Sequence, residues 1–446
     1  MKILLINPET RFPGKVPSIP LGLLQVAALP YEEGNDVKIL DCNKISLRRA
    51  KNIIKSSDPD IIGFTCWTGR SLKSCLELSR FSKEETQAKV VWGGVHPSIL
   101  PYQVMREESV DFVIVGEGDI IFNDLVNNLK RPEKVRGIVF RERGKVKSNL
   151  PGKSIKDLDS LPPIPWEIID IEDYAFRWIG SSKTMALPTS RGCPYDCNFC
   201  YNRVFYCEGW RPYSLERVKE NLENLLASYP KIDALKVDYE DNFVGNDPHR
   251  AVELSRLFKN YDLRWGCQLR VSDTNKKMLR EFRKNGCEYV FLGVESGSQR
   301  ILDFLNKRTN VKQIVETFDF CNEIGLRSVA SFMLDIPTET REDLSLTIML
   351  AKRLKSVLYA GFYQPYPGTR LYDFLIRNGF SPPKTTEEWT DFNFSTSHNF
   401  SEIPSSKLKL TYYYLNYVLN TQVLLQKGDY EMFSTLLKTV LRLRIS

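Results

Sequence analysis

The chain contains 446 residues, of which 42% are hydrophobic and 26% are charged. This composition is ordinary for a soluble globular protein and excludes a disordered or fibrous chain. At about 150 residues per domain, the length predicts several domains. The net charge of +7 is spread along the chain rather than gathered in one stripe, so we expect no nucleic-acid partner.

Targeting signals are missing from the sequence pattern. No apolar run reaches the roughly 18 residues that a membrane-spanning helix needs, so we expect no transmembrane segment. The opening stretch, MKILLINPET, lacks the apolar core and the small-residue cleavage site of a signal peptide. Ten cysteines in such a chain are typical of reduced thiols or metal ligands. The sequence therefore predicts a cytoplasmic protein.

The first third of the chain alternates short apolar runs with helical stretches such as 71–83 and 120–129. The runs that predict buried strands are KILLIN at 2–7, VKILD at 37–41, IIGFT at 61–65, KVVW at 89–92 and FVIV at 112–115. Repeated β-α units at this spacing predict an α/β domain at 1–132 with an open, doubly wound parallel sheet.

The loops after these strands are candidate ligand contacts. Ligands of open parallel sheets bind beyond the carboxyl ends of the strands. Here those loops contain TCWTGR at 65–70, GGVH at 93–96 and GEGD at 116–119. Glycine lets the backbone approach a ligand closely, although glycines are also common in tight turns. No G-x-G-x-x-G follows the first strand, which argues against a dinucleotide.

A connection at 133–180 separates the first domain from a second series of β-α units. It contains a predicted hairpin at 137–147, with its turn near Gly144, and a proline-rich linker at 157–166. Strands are then predicted at 185–189, 234–237, 264–269, 289–293, 328–334 and 360–364. Six units are too few for an eight-stranded barrel, so we expect a partial (β/α)6 barrel at 181–375.

The last segment, 376–446, is predicted to be a small helical region. Apolar stripes predict helices at 405–426 and 430–443. These helices are expected to pack on the barrel. They could also cover its open side and so contact the substrate.

Three cysteines, Cys193, Cys197 and Cys200, form a C-x3-C-x2-C pattern that is followed by Tyr201. Thiolates at this spacing cannot share one face of a helix or strand, so they predict a loop wrapped around one metal centre. No nearby histidine completes a zinc site, and three ligands instead indicate an iron–sulfur cluster with one iron left open. Cys207, seven residues later, could complete a four-ligand cluster.

The segment TSRGCPYDCNFCYN at 189–202 resembles the signature of the radical S-adenosylmethionine (SAM) enzymes. Further matches follow in order: DYEDNF at 238–243, QLRVS at 268–272, LGVESGS at 292–298, FMLDIP at 332–337 and PYPGT at 365–369. With the Rossmann-like sheet domain in front of them, residues 1–375 are similar to the cobalamin-binding branch of this family. That branch contains many C-methyltransferases.

The resemblance implies three cofactors: a [4Fe-4S] cluster, SAM and cobalamin. The cluster would be held by Cys193, Cys197 and Cys200, and a low-potential donor of the flavodoxin or ferredoxin type would reduce it. By position in the family motifs, the SAM contacts fall on Tyr201, Glu240, Asp241, Arg270, Glu295 and Ser296. The expected cobalamin contacts are Thr65, Trp67, Gly93, Gly94, Gly116 and Glu117. The polar residues at the strand ends could instead form structural ion pairs.

The chain departs from the family pattern at several positions. No D-x-H-x-x-G follows the first strand, so no histidine there can ligate cobalt. Trp67 and Arg70 are candidates for covering the lower face of the corrin, although Trp67 could equally be part of the core. His96 is expected to pack by the nucleotide tail or structurally. Asp335 stands where relatives often have glycine, which puts that part of the SAM site in question.

Several functions stay open at this point. The resemblance favours an enzyme that methylates an unactivated carbon through methylcobalamin. Alternatives are a cyclase, an oxidative ring-former or a carbon–carbon coupling enzyme with the same cofactors. A methylthiotransferase would need a second cluster on Cys42, Cys66 and Cys75, and a simple cofactor carrier would need no SAM site. The substrate could be a small molecule, a lipid or a protein side chain.

Overall fold

The structure is a computed structural model that describes residues 1–10, 18–152, 154–175, 183–237, 242–426 and 433–434. Within these residues, two mainly parallel sheets follow one another along the chain. Most of the helix predicted at 430–443, and part of the loop after the first strand, lie outside the described residues. In the part of the chain that is described, no helix combines the length and the apolar character needed to cross a membrane.

The first sheet has seven strands in the order β2-β1-β3-β4-β5-β6-β7. Their bounds are β1 Lys2–Asn7, β2 Asp36–Asp41, β3 Ile61–Thr65, β4 Lys89–Gly93, β5 Phe112–Ile114, β6 Ile138–Glu142 and β7 Lys145–Ser148. Strands β1 to β5 pair in parallel, and β6 and β7 add an antiparallel hairpin beside β5. The hairpin predicted within the connection therefore extends the first sheet.

Helices cover both faces of this sheet. They are α1 Leu21–Glu32, α2 Leu47–Ser57, α3 Ser71–Glu85, α4 Val95–Ile99, α5 Pro101–Val104 and α6 Gly118–Asn127. Successive strand side chains point to opposite faces. Leu4 accordingly packs with Ile54 of α2, whereas Leu5 packs with Ala27 of α1 in a second apolar cluster. The doubly wound arrangement is confirmed.

The second sheet has six parallel strands in the order β15-β14-β13-β12-β11-β8. Their bounds are β8 Thr184–Ala186, β11 Ala234–Val237, β12 Arg264–Arg270, β13 Cys287–Glu295, β14 Arg327–Leu334 and β15 Val357–Phe362. A two-stranded antiparallel pair, β9 Ser190–Arg191 and β10 Arg211–Pro212, lies between β8 and β11 in sequence. The partial barrel predicted from the sequence is confirmed.

Helices alternate with the strands of this second sheet. They are α7 Asn202–Phe205, α8 Leu215–Ser228, α9 Pro248–Asn260, α10 Lys276–Lys284, α11 Gln299–Phe304, α12 Val311–Glu323, α13 Arg341–Leu354 and α14 Arg370–Arg377. Short 3-10 helices occur at Pro132–Lys134, Leu158–Ser160, Trp166–Ile168, Ile171–Asp173, Val271–Asp273 and Glu387–Asp391. The α12 helix begins with a capping box, in which Asn310 and Gln313 bond each other's backbone N–H groups.

The C-terminal helix closes the edge of the partial barrel. It runs through α15 Ser405–Tyr413, a π-helical turn at 414–419 and α16 Asn420–Gln426. The side chain of Asn420 accepts from the Leu358 N–H at 2.7 Å and donates to its carbonyl at 2.9 Å. Asn416 bonds both backbone groups of Ala360 in the same way. Because β15 is an edge strand, these amides satisfy backbone groups that would otherwise be unpaired.

Candidate active site

The cysteine loop follows β9, and close packing and backbone hydrogen bonds hold it against other segments of the barrel. Gly192 has a φ of 79°, and a Cβ there would lie 2.1 Å from the carbonyl oxygen of Gly209. Further along the loop, the Asn198 N–H donates to the Leu305 carbonyl at 3.0 Å, and the Asn198 carbonyl accepts from the Leu371 N–H at 2.9 Å. The loop is therefore anchored between the segments that contain α11 and α14.

Two polar side chains donate to the cysteine thiols. Arg270, at the end of β12, donates to Cys197 Sγ at 2.8 Å, and its guanidinium lies 3.8 Å from the centre of the Tyr195 ring. Asn242 donates to Cys193 Sγ at 3.7 Å. Arg270 was expected to contact SAM, and the structure places it against a cysteine of the cluster motif. Hydrogen bonds of this kind tune the electronic properties of thiolate-bound clusters.

The donor set of the loop fits an iron–sulfur cluster. Burial raises the pKa of the Cys200 thiol to about 12, and the neighbouring thiols Cys197 and Cys193 add to this shift. The three thiols are thus close enough to interact. Among the described residues, no three His, Cys, Asp or Glu side chains stand close enough to hold a single metal ion. In a cluster each thiolate binds a different iron, so such a close approach is not required.

The strand ends beside the loop contain the other expected SAM residues. Glu295 is 8% exposed, has a φ of 67° and accepts from Lys307 Nζ at 2.6 Å. Ser296 is fully buried, and its hydroxyl lies 3.1 Å from that of Thr347. Lys307, which the sequence patterns did not single out, also lies near Cys200. Glu240 and Asp241 lie outside the described residues.

A crevice opens at the carboxyl edge of the first sheet. It lies at the topological switch point, where the strand order reverses at β1 and β3. All six expected cobalamin contacts line it: Thr65, Trp67, Gly93, Gly94, Gly116 and Glu117. The opposite wall comes from the barrel, including Arg191, Phe205 and Tyr206 beside the cysteine loop.

The glycines of this crevice differ in what surrounds them. At Gly116 a Cβ would meet nothing within 4 Å, so the absence of a side chain leaves open space along the crevice wall. At Gly94, with a φ of 94°, a Cβ would lie 3.0 Å from both the nitrogen and the oxygen of Cys66. The crevice wall therefore presents bare backbone, which a large planar cofactor such as cobalamin can approach closely.

An aromatic contact joins the two halves of the site. Trp67, in the loop after β3, meets Tyr201 edge-on at a ring-centroid distance of 5.6 Å. Tyr201 in turn lies 5.2 Å from Tyr366, which follows β15. Trp67 is half-buried and lines the crevice rather than belonging to the core of the first domain. One side chain thus contacts both the crevice and the residue directly after the cysteine motif.

His96 is packed inside the fold, away from the crevice. It is fully buried, its Nδ1 lies 3.1 Å from the Thr68 hydroxyl, and its ring meets Trp389 edge-on at 6.0 Å. It does not line the crevice. Burial lowers the pKa of His96 to about 3, so the ring is neutral at physiological pH. Of the two locations predicted for His96, the structure favours packing within the fold.

The N-terminal cysteines form part of the core. Cys66 and Cys75 are fully buried with their sulfur atoms 3.4 Å apart, and Cys42 is 4% exposed in the same apolar cluster. Burial raises the pKa of both Cys42 and Cys66. These three thiols lie inside the apolar core of the first domain, and none of them lines the crevice. A second cluster, and with it the methylthiotransferase hypothesis, is disfavoured.

Asp335 has a role that its position in the family motif did not predict. It is fully buried with a φ of 62°, a backbone region in which glycine carries less strain. Its carboxylate accepts from the N–H and hydroxyl of Ser401, the hydroxyl of Ser397 and the N–H of His398, all within 3.0 Å. The carboxylate that replaces glycine therefore anchors the C-terminal segment at the end of β14.

Glu339, four residues further on, makes stability depend on pH. It is fully buried, one carboxyl oxygen accepts from the Asp335 and Ile336 N–H groups, and the other has no partner among the described residues. Burial raises the pKa of Glu339 to about 8. Between the ordinary pKa of 4.5 and about 8, the folded protein retains a proton that the unfolded chain releases. The contribution of Glu339 to the free energy of unfolding therefore falls as the pH rises through that range.

The Glu339→Gln variant should abolish this dependence, because the amide keeps the shape and cannot ionise. At pH 8 we expect its free energy of unfolding to exceed that of the wild type by on the order of 3 kcal/mol, and at pH 5 by far less. Urea unfolding at the two pH values measures this. The exposed neighbour Glu342 supplies the control, Glu342→Gln, which should follow the wild type. If the free energy of unfolding of Glu339→Gln fell between pH 5 and pH 8 as much as that of the wild type, Glu339 would not be the cause of the pH dependence.

Three buried charged side chains in the ion-pair network around Glu117 were not singled out from the sequence: Asp119, Arg191 and Arg211. Glu117 and Asp119 of the GEGD loop pair with Arg191 and Arg211 of the β9–β10 pair. Two features could have indicated them: Arg191 lies within the TSRGC segment, and the GEGD loop contains two carboxylates. Their pairing across 72 to 94 residues has no local signature.

Comparison with family models agrees with this two-part site. Residues 187–351 match the model described as the Radical SAM superfamily, and residues 15–126 match the B12 binding domain. These ranges contain the cysteine loop and the crevice loops respectively.

Several known proteins resemble most or all of this chain. An uncharacterized methyltransferase of Pyrococcus horikoshii is 31% identical over 99% of this chain and 97% of its own length. The anaerobic magnesium-protoporphyrin IX monomethyl ester cyclase of Rubrivivax gelatinosus is 28% identical over 76% of this chain and 63% of its own length. The fold matches the methyltransferase TsrM of Kitasatospora setae, solved with tryptophan substrate and a SAM analog, with a TM-score of 0.70. That match has 16% identity and covers 93% of this chain and 88% of the other.

Proposed function

Because this chain belongs to the cobalamin-binding radical-SAM enzymes, we propose that it methylates an unactivated carbon of a small-molecule substrate. The enzyme uses a [4Fe-4S] cluster, SAM and cobalamin. When bound, these cofactors supply a 5′-deoxyadenosyl radical for hydrogen abstraction and a methyl group for transfer. Cys193, Cys197 and Cys200 are the proposed cluster ligands.

One observation carries the proposal: a single crevice has its walls in both halves of the molecule. The loops after β3, β4 and β5 form one wall, and Arg191, Phe205 and Tyr206 beside the cysteine loop form the other. A methyl carrier in this crevice and a radical source at the cysteine loop would therefore face a shared space. The part of the chain is to orient the reactants and to exclude water from the radical.

Several features support a small-molecule substrate and an intracellular electron donor. The structural relative TsrM was solved with tryptophan as its substrate. A flavodoxin or ferredoxin type of donor belongs to this proposal, since reductive cleavage of SAM needs a low-potential electron. All ten cysteines are free thiols, as is usual for the reducing conditions of the cytoplasm.

The second candidate is a cyclase that uses the same cofactors without transferring a methyl group. The 28% identity to the magnesium-protoporphyrin ester cyclase over 76% of this chain favours it. A SAM site and a cobalamin crevice serve either reaction, so analysis of the products distinguishes the two candidates.

The stoichiometry of SAM consumption tests the proposal. The reconstituted holoenzyme is incubated with a low-potential reductant, SAM carrying a deuterated methyl group, and a deproteinised cell extract as substrate source. Methyl transfer by this route consumes SAM once as radical source and once as methyl source. We therefore expect 5′-deoxyadenosine and S-adenosylhomocysteine in roughly equal amounts, with the label in a new extract component.

A cyclase or coupling enzyme would give a different balance. It would produce 5′-deoxyadenosine with little S-adenosylhomocysteine beyond a single initial turnover, and no extract component would gain the label. That result would replace the methyltransferase proposal with the second candidate. The control reaction omits hydroxocobalamin, which should abolish S-adenosylhomocysteine formation if the corrinoid is the methyl carrier.

A further inference from the structure

Two carboxylates of the first domain are bound by two arginines of the barrel. Arg191 donates to both oxygens of Asp119 at 2.8 and 2.9 Å and to Glu117 at 3.1 Å. Arg211 donates to the other Glu117 oxygen at 2.8 Å. We call these four residues the charge cluster. It joins the GEGD loop after β5 to the short β9–β10 pair.

The charge cluster is solvent-excluded and balanced. Its side chains are between 5% and 8% exposed, with two positive and two negative charges. Charges taken out of water persist only when they are paired, so each member depends on the others. Arg211 donates to Glu117 and to the Ile155 carbonyl, and its Nε and Nη2 groups are buried without partners among the described residues, so Glu117 is its one carboxylate partner there. Removing one carboxylate should therefore release the arginines from their positions.

The charge cluster touches both cofactor regions. Glu117, Asp119 and Arg191 line the crevice. Arg191 also lies two residues before Cys193, and the intervening Gly192 packs so closely against Gly209 that the link has little freedom. A rearrangement of the cysteine loop can therefore be transmitted over this short link to Arg191, and through it to the two carboxylates of the crevice wall.

We propose that the charge cluster couples the two cofactor sites, so that the loaded iron–sulfur cluster strengthens cobalamin binding. A bound iron–sulfur cluster fixes Cys193 and thereby Arg191, which preorganises Asp119 and Glu117 in the crevice wall. Coupling between two binding sites is reciprocal, so cobalamin must favour cluster assembly by the same factor. The four residues act as positioning residues, and the inference holds for either proposed reaction.

Binding of hydroxocobalamin, measured without SAM or substrate, tests this coupling. The dissociation constant is determined for the full chain with the reconstituted cluster and for the same chain after iron removal. In the wild type we expect the cluster-loaded protein to bind hydroxocobalamin at least about fivefold more tightly than the iron-free protein. In Asp119→Asn, which keeps the shape but weakens the bidentate pair, the ratio should fall toward one. Glu117→Gln provides a second variant if Asp119→Asn folds poorly.

The exposed pair of Arg353 and Asp319 supplies a matched control. It is bidentate like the Arg191–Asp119 pair, with distances of 2.8 and 2.7 Å, but both side chains are about half exposed. Asp319→Asn should keep the wild-type ratio. The proposal would be overturned if the iron-free and cluster-loaded wild type had equal dissociation constants. It would also be overturned if folded Asp119→Asn or Glu117→Gln kept the wild-type ratio of the two constants. Because no turnover is measured, failure of the proposed reaction leaves this result unaffected.

Discussion

Simultaneous replacement of Cys193, Cys197 and Cys200 by alanine should leave the reconstituted protein without iron, whereas the wild type should hold about four iron atoms per chain. All three ligands of the proposed cluster come from one loop, so the variant removes the whole proposed donor set at once. Iron and sulfide analysis, together with the electron paramagnetic resonance signal of the reduced protein, measures the loss.

Cys207 provides the matched control for this experiment. It lies in the same segment but is exposed, and its nearest polar contact is the Val204 carbonyl at 3.8 Å. Cys207→Ala should therefore retain the full iron content. Iron that persists in the triple variant would show that Cys207, Cys267 or the N-terminal cysteines are the true ligands.

The Gly94→Phe variant should lose affinity for hydroxocobalamin by about a hundredfold or more. Gly94 has a φ of 94°, and a Cβ there would lie 3.0 Å from two backbone atoms of Cys66. Backbone cannot move aside as cheaply as a flexible side chain, so the loop that contains Thr65 and Trp67 must shift. Since that loop lines the crevice, its displacement removes part of the binding surface. Equilibrium dialysis with absorbance detection of the corrinoid measures the loss.

A glycine outside the crevice separates this effect from a general loss of stability. Gly144, in the turn between β6 and β7, also has a positive φ, of 78°, but it does not line the crevice, and a Cβ there would meet nothing within 4 Å. Gly144→Ala should therefore bind hydroxocobalamin nearly as well as the wild type. Gly94→Phe should still load its iron–sulfur cluster to saturation, which shows that the barrel is folded. Wild-type affinity in Gly94→Phe would remove the crevice as the cobalamin site.

Local sequence determined most of the architecture of this protein. Runs such as IIGFT at 61–65 are apolar and rich in β-branched or aromatic residues, and they form strands at the predicted positions. The cysteine loop was also predictable, because all three proposed ligands lie within eight residues and their spacing favours a shared centre. Glycines at the ends of β4 and β5 indicated the crevice, because a bare backbone there serves close approach.

Only the tertiary structure decided which side chains meet across these elements. Arg191 pairs with Asp119 72 residues away, and Asp335 anchors Ser401 66 residues away. Arg270 donates to Cys197, a pairing that its place in a motif did not predict. The reason is physical: periodicity and spacing specify how a segment folds on itself, whereas ion pairs between segments depend on how the folded elements pack. The link between the two cofactor regions arises from that packing, and no local pattern encodes it.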